Sequence, residues 1–349
     1  MYPITFLLNT LLYLGYFYCL QRGENIFMDY ITNCIDAGSD YCPCYLAETD
    51  DCLTCTHLQN RGFCDCSWSG VCIYQEYVWC GNKKKNFRQE VEGSIVEKKL
   101  IGEKGVLLKI KVSKTLARQL KNPGSFVFIR NPNKPPSFNV PMSIMYTDEF
   151  SGEIMVAIQV LGIKTKTLAD LKEKVIVKGP FWNGILGLKH LKNSIEENVL
   201  VVARGIALAP TNLVVQYLLS KKNKVTFVVD PGKVGEIFIK DYLNHLNLRI
   251  SEVNLRDEYG MKKVKNLIHS GDYKILFSGG ADKLHKMLLE EINVSEKPIK
   301  FVSTNNHPLC CGEGICGSCI SKTPDSSSVK MCKCQIDIES VLKKGDTNG

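Results

Sequence analysis

The chain has no cysteine between residues 81 and 309, although it holds sixteen in its 349 residues. That gap argues against a disulfide-stapled secreted fold, which would be small and would carry its cysteines throughout. A basic segment ahead of the apolar N-terminus is also missing, as is a small-residue cleavage site, so the N-terminus is a poor signal peptide. No nucleic-acid-binding motif accompanies the net charge of +8, from 44 basic and 36 acidic residues. Apart from the run Lys83-Lys84-Lys85, the basic residues are scattered and read as a solvated surface. At most they favour an anionic cofactor or an acidic partner. Internal repeats and long low-complexity tracts are absent too.

What is present fits a globular protein of two or three folded units: 44% apolar and 23% charged residues over this length. The first twenty residues form an apolar run of about bilayer-spanning length, weakened by Asn9 and several tyrosines. Met28 opens MDYITNCIDAG and reads as a natural cytoplasmic start. Residues 1–27 are therefore expected to be an extension outside the fold, with a membrane anchor as the alternative.

Residues 28–92 are rich in cysteine and in turn-forming Asp, Gly and Ser, with little hydrophobic periodicity. A module of this kind is normally held by metal rather than by a core. Residues 93–184 carry short strand-like runs (SIVEKKL, VLLKIKV, SFVFIR, IMVAIQV, KVIVKG) parted by Gly, Pro and Asn, the pattern of an antiparallel barrel or sandwich. Over 185–300 the rhythm changes. NVLVVA is a continuous apolar run, followed by the helical stretch TNLVVQYLLSKK and the strand KVTFVVD; YKILFSGG then precedes the helix ADKLHKMLLEEI. Strand–turn–helix units in series predict a doubly wound parallel sheet. Residues 301–335 hold the second cysteine group and 336–349 a tail, with Pro324 to Ser328 a polar loop.

The strongest motif is CCGEGICGSC followed by VKMCKC. Cys311, Cys316 and Cys319 have the C-x4-C-x2-C spacing of plant-type [2Fe–2S] ligands. Gly312, Gly314 and Gly317 let the loop wrap closely and turn N–H groups inward. Cys332 is preferred over Cys334 as fourth ligand, and Cys310 is spare. A four-cysteine zinc site would use paired short spacings instead. In the N-terminal group, Cys42, Cys44, Cys52, Cys55, Cys64, Cys66 and Cys72 are candidate ligands for zinc or a second iron–sulfur cluster. His57 reads as a bystander.

Three weaker signals sit between the cysteine groups. Val140-Pro141-Met142-Ser143-Ile144 lies between strand candidates, with GIKTKTLADLK and KGPFWNG downstream. Gly162 and Thr165 could offer donors to a phosphate. After NVLVVA, Gly205 stands where a pyrophosphate could approach the next helix, although no G-x-G-x-x-G fingerprint is present. Asp230 could accept a ribose hydroxyl or simply form a turn before Pro231-Gly232.

Taken in order, these motifs resemble the electron-transfer subunit of two-component dihydroorotate dehydrogenases and related sulfide-dehydrogenase-like flavoproteins, within the ferredoxin reductase superfamily. The likeness covers about residues 93–335. It implies an FAD-binding antiparallel β-barrel (93–184), an NAD(P)-binding doubly wound domain (185–300) and a terminal [2Fe–2S] segment (301–335). In that family an R-P-x-S stretch holds the flavin; Pro141, Met142, Ser143 and Ile144 match its later positions. Val140 replaces the arginine, so Arg130 is the candidate for the missing pyrophosphate contact. The family's G-x-G-T turn corresponds to Gly162, Ile163, Lys164 and Thr165, and its G-P-x-G-N-G turn to Gly179, Pro180, Asn183 and Gly184. Gly205 and Ile206 stand for its glycine-rich NAD contact, and Gly279-Gly280-Ala281 replaces its C-G-P segment. The resemblance implies an FAD- and iron–sulfur-dependent NAD(P)H oxidoreductase, cytoplasmic, that exchanges electrons with a catalytic subunit and binds no nucleic acid. The N-terminal cysteine module lies outside the common pattern. Two alternatives stay open: a metal-dependent interaction module without nicotinamide chemistry, and a self-contained sulfide or polysulfide oxidoreductase.

Overall fold

The structure, a computed structural model, describes residues 33–342 apart from 245, 247 and 324–327. The apolar extension at 1–27, most of the Pro324–Ser328 loop and the end of the tail lie outside the described residues. The N-terminal module opens with strand β1 (Asn33–Cys34) and contains two short helices, Tyr45–Glu48 and Ile73–Trp79. Its buried apolar set is Cys42, Leu46, Ala47, Cys55, Leu58 and Ile73. Each such side chain contributes about 1.5–3 kcal/mol on full burial, whereas ordering each backbone residue costs about 1–2 kcal/mol. That core cannot hold the module by itself. No disulfide helps: every described cysteine is a free thiol.

Six antiparallel strands then close into a barrel: β2 (Glu90–Ile101), β3 (Gly105–Lys111), β4 (Phe126–Arg130), β5 (Val140–Asp148), β6 (Glu153–Gln159) and β7 (Lys174–Phe181), in the order β2-β3-β6-β5-β4-β7. Inward positions such as Leu108, Ile110, Val127, Ile129, Val156, Val175 and Val177 are fully buried, and irregular register in β2, β4 and β5 supplies the bends that closure needs. Residues 140–144 are strand rather than turn. Val140 to Ser143 pair with Ile129 to Phe126 of β4, while pairing of β5 to β6 begins only at Ile144. Pro141 thus sits where one edge needs no N–H donor, a position a strand tolerates.

The second half is a six-stranded sheet. Its members are β8 (Ile185–Leu186), β9 (Asn198–Arg204), β10 (Lys224–Asp230), β11 (Arg249–Glu252), β12 (Ile275–Gly279) and β13 (Lys300–Thr304), ordered β11-β10-β9-β12-β13-β8. All pairings are parallel except that of β8 with β13. Its longer helices are α1 (Leu208–Ser220), α2 (Glu258–Ser270) and α3 (Asp282–Ser295). The parallel strands are apolar on both faces because helices and the barrel cover both. The C-terminal segment adds a hairpin, β14 (Ile320–Lys322) with β15 (Ser328–Lys330), and β16 (Cys334–Gln335), which pairs back onto β1. Among the described residues no helix is long and apolar enough to cross a membrane.

Barrel and sheet are locked together by close backbone contact. The fully buried Asn212 on α1 donates from Nδ2 to the Met145 carbonyl at 2.8 Å. Gly102, in the β2–β3 turn, has φ of +53°, and a Cβ there would lie 1.7 Å from the Val234 carbonyl oxygen. Gly102→Ala should therefore lower unfolding free energy by roughly 2–3 kcal/mol in urea titration. Gly62→Ala, where a Cβ meets nothing within 4 Å, should stay within about 0.5 kcal/mol of wild type.

Candidate functional site

The C-terminal cysteine segment leaves β13 and crosses the barrel mouth, where Leu309 packs on Phe126, Phe128 and Phe181. Gly312 has φ of +71°, and a Cβ there would meet the Phe181 ring at 2.4 Å. The loop therefore has room only for glycine. It brings four thiols together: Cys332 hydrogen-bonds to both Cys311 and Cys319, and Cys316 to Cys311. Backbone N–H groups also point at sulfur, from Glu313 to Cys311 at 3.3 Å and from Cys332 to Cys319 at 3.4 Å. Donation by Cys332 pushes the Cys311 thiol down to about 4 and Cys319 to about 6. Cys332, the donor, is pushed up. Sulfurs linked in series and stabilised as thiolates by N–H donors fit a two-iron cluster taking two thiolates per iron. Cys334 is fully buried in β16, its thiol raised to about 11 by burial. Cys310 is exposed. Among the described residues no three His, Cys, Asp or Glu side chains gather as they would about a single metal ion.

Beside this loop lies a buried cluster of four charges. The Arg88 fork donates to Asp36 at 2.8 Å, to Glu313 at 3.0 Å and to the Pro180 carbonyl. Lys333 is fully buried and pairs with Asp36 and, at 3.1 Å, with Glu313. Burial works against the Lys333 ammonium, but the two carboxylates outweigh it and hold its pKa above the ordinary lysine value. Burial likewise opposes the Asp36 carboxylate, and Lys333 and Arg88 overcome it.

The flavin-type residues occupy one corner of the barrel. Pro141, Met142 and Ser143 are half-buried on β5, and Ile144 points into the core. Just outside this stretch, Arg130 Nε and Asn139 Oδ1 are buried without a partner, a donor and an acceptor free for a polar ligand. Arg130 is otherwise paired with Glu90 and donates to the Lys134 carbonyl at 3.1 Å, so a phosphate there would share it. Thr165 Oγ1 is engaged at the start of the short helix Ile163–Ala169, accepting from the N–H groups of Leu161 (2.9 Å) and Gly162 (3.1 Å). Leu161 and Ile163 flank Gly162 with large exposed apolar surfaces, and a Cβ at Gly162 would meet open space.

Asn183 has a different position from the one its motif implies. It is fully buried, donating to the carbonyls of Met331 (2.6 Å) and Cys334 (2.8 Å) and accepting from Gln335 Nε2 at 2.6 Å. The Gly179-to-Gly184 turn thus holds the C-terminal cysteine segment. Gly184 packs with a would-be Cβ 2.7 Å from the Gly124 carbonyl oxygen, and one at Gly179 would lie 2.9 Å from Val127.

A cleft of about 1060 Å³ opens at the carboxyl ends of the parallel strands, lined by Gly205, Ile206, Gly280 and the cations Arg204, Lys233 and Arg256, among others. This is where open α/β sheets bind ligands. Asp230, the candidate ribose acceptor, is buried and already accepts three hydrogen bonds. Its Oδ2 takes Arg204 Nε at 2.6 Å and the Leu255 N–H at 2.9 Å, and its Oδ1 takes the Gly232 N–H at 2.7 Å. It acts by aiming Arg204 at the cleft, a cation the sequence reading had passed over although it directly follows the strand run. Gly279 is packed tightly, a Cβ there lying 2.6 Å from Thr211 Oγ1. Nearby, His285 on α3 is fully buried, held by Ser278 Oγ at 2.7 Å and Thr304 Oγ1 at 3.2 Å, and burial pushes its pKa down to about 4.

The N-terminal cysteines form a continuous string: Cys44 lies near Cys34, Cys42 and Cys52, Cys52 accepts from the Cys55 N–H at 3.4 Å, and Cys55 lies near Cys66 and Cys72. Cys64 is exposed, and His57 stacks at 4.9 Å on Tyr74. Cys34 had no short spacing to mark it in the sequence.

No protein-family model matches the chain. Its sequence is 25% identical over 218 residues to the dihydroorotate dehydrogenase B (NAD(+)) electron transfer subunit of Streptococcus pneumoniae, covering 61% of this chain and 82% of that one. It is 22% identical over 200 residues to the probable counterpart from Archaeoglobus fulgidus, covering 57% and 79%. Among solved structures it aligns with an NADH-dependent reduced ferredoxin-NADP oxidoreductase at a TM-score of 0.59, 21% identity, over 72% of this chain and 91% of that one. The chain has the ferredoxin reductase-like fold. In this ferredoxin reductase-like chain, residues 33–89 precede the barrel as an additional module.

Two consequences are measurable. An unfolded His285 binds a proton below about pH 6.5 that the folded protein refuses until about pH 4. Stability should therefore fall as pH drops through that interval, by up to about 3 kcal/mol, and urea midpoints of His285→Gln should lose that slope. Arg88→Met leaves Asp36 and Glu313 short of a partner and should cost about 3–5 kcal/mol in the same assay. Arg88→Lys should recover little, because a point charge cannot reach three acceptors at once.

Proposed function

We propose that the chain is an electron-transfer subunit working between NAD(P)H and a partner oxidoreductase, with FAD and a [2Fe–2S] cluster as its carriers, and that it acts in the cytoplasm. The observation that carries this reading is the gathering of Cys311, Cys316, Cys319 and Cys332 beside a ferredoxin reductase-like barrel and sheet. FAD supplies the conversion between the hydride of nicotinamide and the single electrons of a cluster. The relatives' names support the partner as a dihydroorotate-dehydrogenase-like catalytic chain; a sulfide-dehydrogenase-like chain is the second choice.

The chain's own residues divide the task. Arg204, Lys233 and Arg256 present positive charge to a dinucleotide's phosphates in the cleft, and Asp230 fixes the first of them. Arg130 Nε and Asn139 Oδ1 offer hydrogen bonds next to Pro141, Met142 and Ser143, where the flavin would lie. The cluster thiolates would be Cys311, Cys316, Cys319 and Cys332. Cys316 is exposed, and Ile315 and Ile320 near it expose 58% and 50% of their surface. Such an apolar rim suits a docking partner that must come close to the cluster.

An anaerobic absorbance spectrum with iron and sulfide analysis tests the reading. Flavin bands over a broad iron–sulfur envelope are expected, bleaching on addition of NADH or NADPH. Cys316→Ser should diminish the iron–sulfur envelope and leave the flavin bands. A colourless protein overturns the proposal.

A further inference from the structure

Asp230 ends β10 with 3% of its surface exposed, and the three hydrogen bonds it accepts share a pattern. One comes from Arg204 itself, through Nε at 2.6 Å. Another comes from the Gly232 N–H at 2.7 Å, one residue before Lys233. The third comes from the Leu255 N–H at 2.9 Å, one residue before Arg256. A single buried carboxylate thus anchors three of the cations that line the cleft. The turn carrying Arg256 is fixed further, since Asn254 Oδ1 accepts from the Arg256 N–H at 3.0 Å and Asp257 caps α2 through the Gly260 N–H at 2.6 Å. Lys233 and Arg256 are exposed, and their side chains have no ion-pair partner among the described residues. Asp282, a carboxylate that lines the same cleft, is held by Asn306 Nδ2 at 2.8 Å.

We propose that Arg204, Lys233 and Arg256, arranged by Asp230, bind the 2′-phosphate of an adenine dinucleotide, so that the cleft prefers NADPH to NADH. This rests on the nucleotide reading of the cleft given above and names the nucleotide it takes.

Topology matches these cations to that phosphate. In a doubly wound sheet the pyrophosphate meets the turn after the first strand, and the adenosine ribose meets the end of the next. Here the turn is Gly205 after β9, and the next strand is β10. Lys233 follows β10, and Arg256 follows β11, the strand beside it. An NADH site needs an acceptor at that strand end for the ribose 2′-hydroxyl. Asp230 holds the position but is buried among donors of its own chain, and Arg204 lines the cleft in its place. A 2′-phosphate brings about −1.5 to −2 charge at pH 7 and three acceptor oxygens, which two guanidinium forks and an ammonium can take up. A neutral hydroxyl leaves those cations uncompensated. The preference would be the reverse of the NAD(+) in the relatives' names.

The test is calorimetric titration of the full chain with 2′,5′-ADP and with 5′-AMP, fragments that differ only in the 2′-phosphate and need no redox step. The former should bind at least about tenfold more tightly at low salt, and the margin should shrink as ionic strength rises. K233Q/R256Q, at two exposed positions, should cut the margin below about threefold. Asp230→Asn keeps all three cations but loosens their anchor, so its margin should fall as well, with circular dichroism certifying the fold. If Asp230→Asn does not fold, K233Q/R256Q decides alone. Equal or tighter binding of 5′-AMP overturns this proposal and leaves the nucleotide reading standing, whereas binding of neither fragment overturns both. A margin that survives K233Q/R256Q also overturns it.

Discussion

The buried quartet of Asp36, Arg88, Glu313 and Lys333 is the contact on which the arrangement of this molecule depends. Each member comes from a different stretch of chain: the start of the N-terminal module, the segment entering the barrel, the cysteine loop, and the residue between Cys332 and Cys334. Two positive and two negative side chains compensate one another, and the Arg88 fork also takes the Pro180 carbonyl. Desolvating such charges costs several kcal/mol per ion, which Coulomb attraction offsets only when every group is satisfied. The quartet therefore contributes less to net stability than to uniqueness. Any arrangement that separates the four stretches strands a charge in apolar surroundings, and Arg88 packs over the rings of Tyr41 and Phe181, with its guanidinium 4.2 and 4.5 Å from their centres.

Around that point the structure uses backbone recognition to hold the cysteine loop. Asn183 caps two carbonyls of the C-terminal segment, and Asn305 reaches the Met331 carbonyl at 2.9 Å and that of Asn183 at 2.8 Å. Gln335 answers with bonds to Asn183 and the Ile185 carbonyl. These amides make a ladder of neutral hydrogen bonds, insensitive to pH over the range where the quartet stays charged. A redox loop gains from such support, because rigid N–H donors around its thiolates tune them without rearranging as charge changes.

Much of this was legible in the residues. Short strand-like runs parted by Gly, Pro and Asn marked β3, β4, β6 and β7, strand runs ahead of turns and helices marked β9, β10 and β12, and the C-x4-C-x2-C spacing singled out the loop where the thiols meet. Local pattern failed where pairing partners decide the outcome. Residues 140–144 fall between strand candidates, and only the one-sided pairing of that stretch shows that they are themselves strand. Asp230 ends a strand, as a ribose acceptor would, but the sequence could not show that Arg204, Gly232 and Leu255 already donate to it. Asn183 matched a flavin turn, yet its contacts lie about 150 positions away in sequence. Arg88 carried no signal, since its acceptors Asp36 and Glu313 are 52 and 225 positions distant.

The same logic accounts for the N-terminal module. Its sequence lacks an apolar period because no face of it is large enough to form a core, and its order must come from elsewhere. Among the sources are the two-residue β1–β16 pair, the charges of Asp36 and Arg88, and apolar contact with the C-terminal segment. A two-residue strand pair is marginal alone, and the quartet acts at one end only. Residues 42–72, where the cysteines are densest, gain further ties: Leu53 packs on the core beneath the C-terminal segment, Asp51 pairs with Lys330 at 3.8 Å, and Thr54 Oγ1 accepts from the Cys34 N–H at 3.3 Å. Ties of this kind are few, so the module should loosen before the barrel, whose core is complete without it.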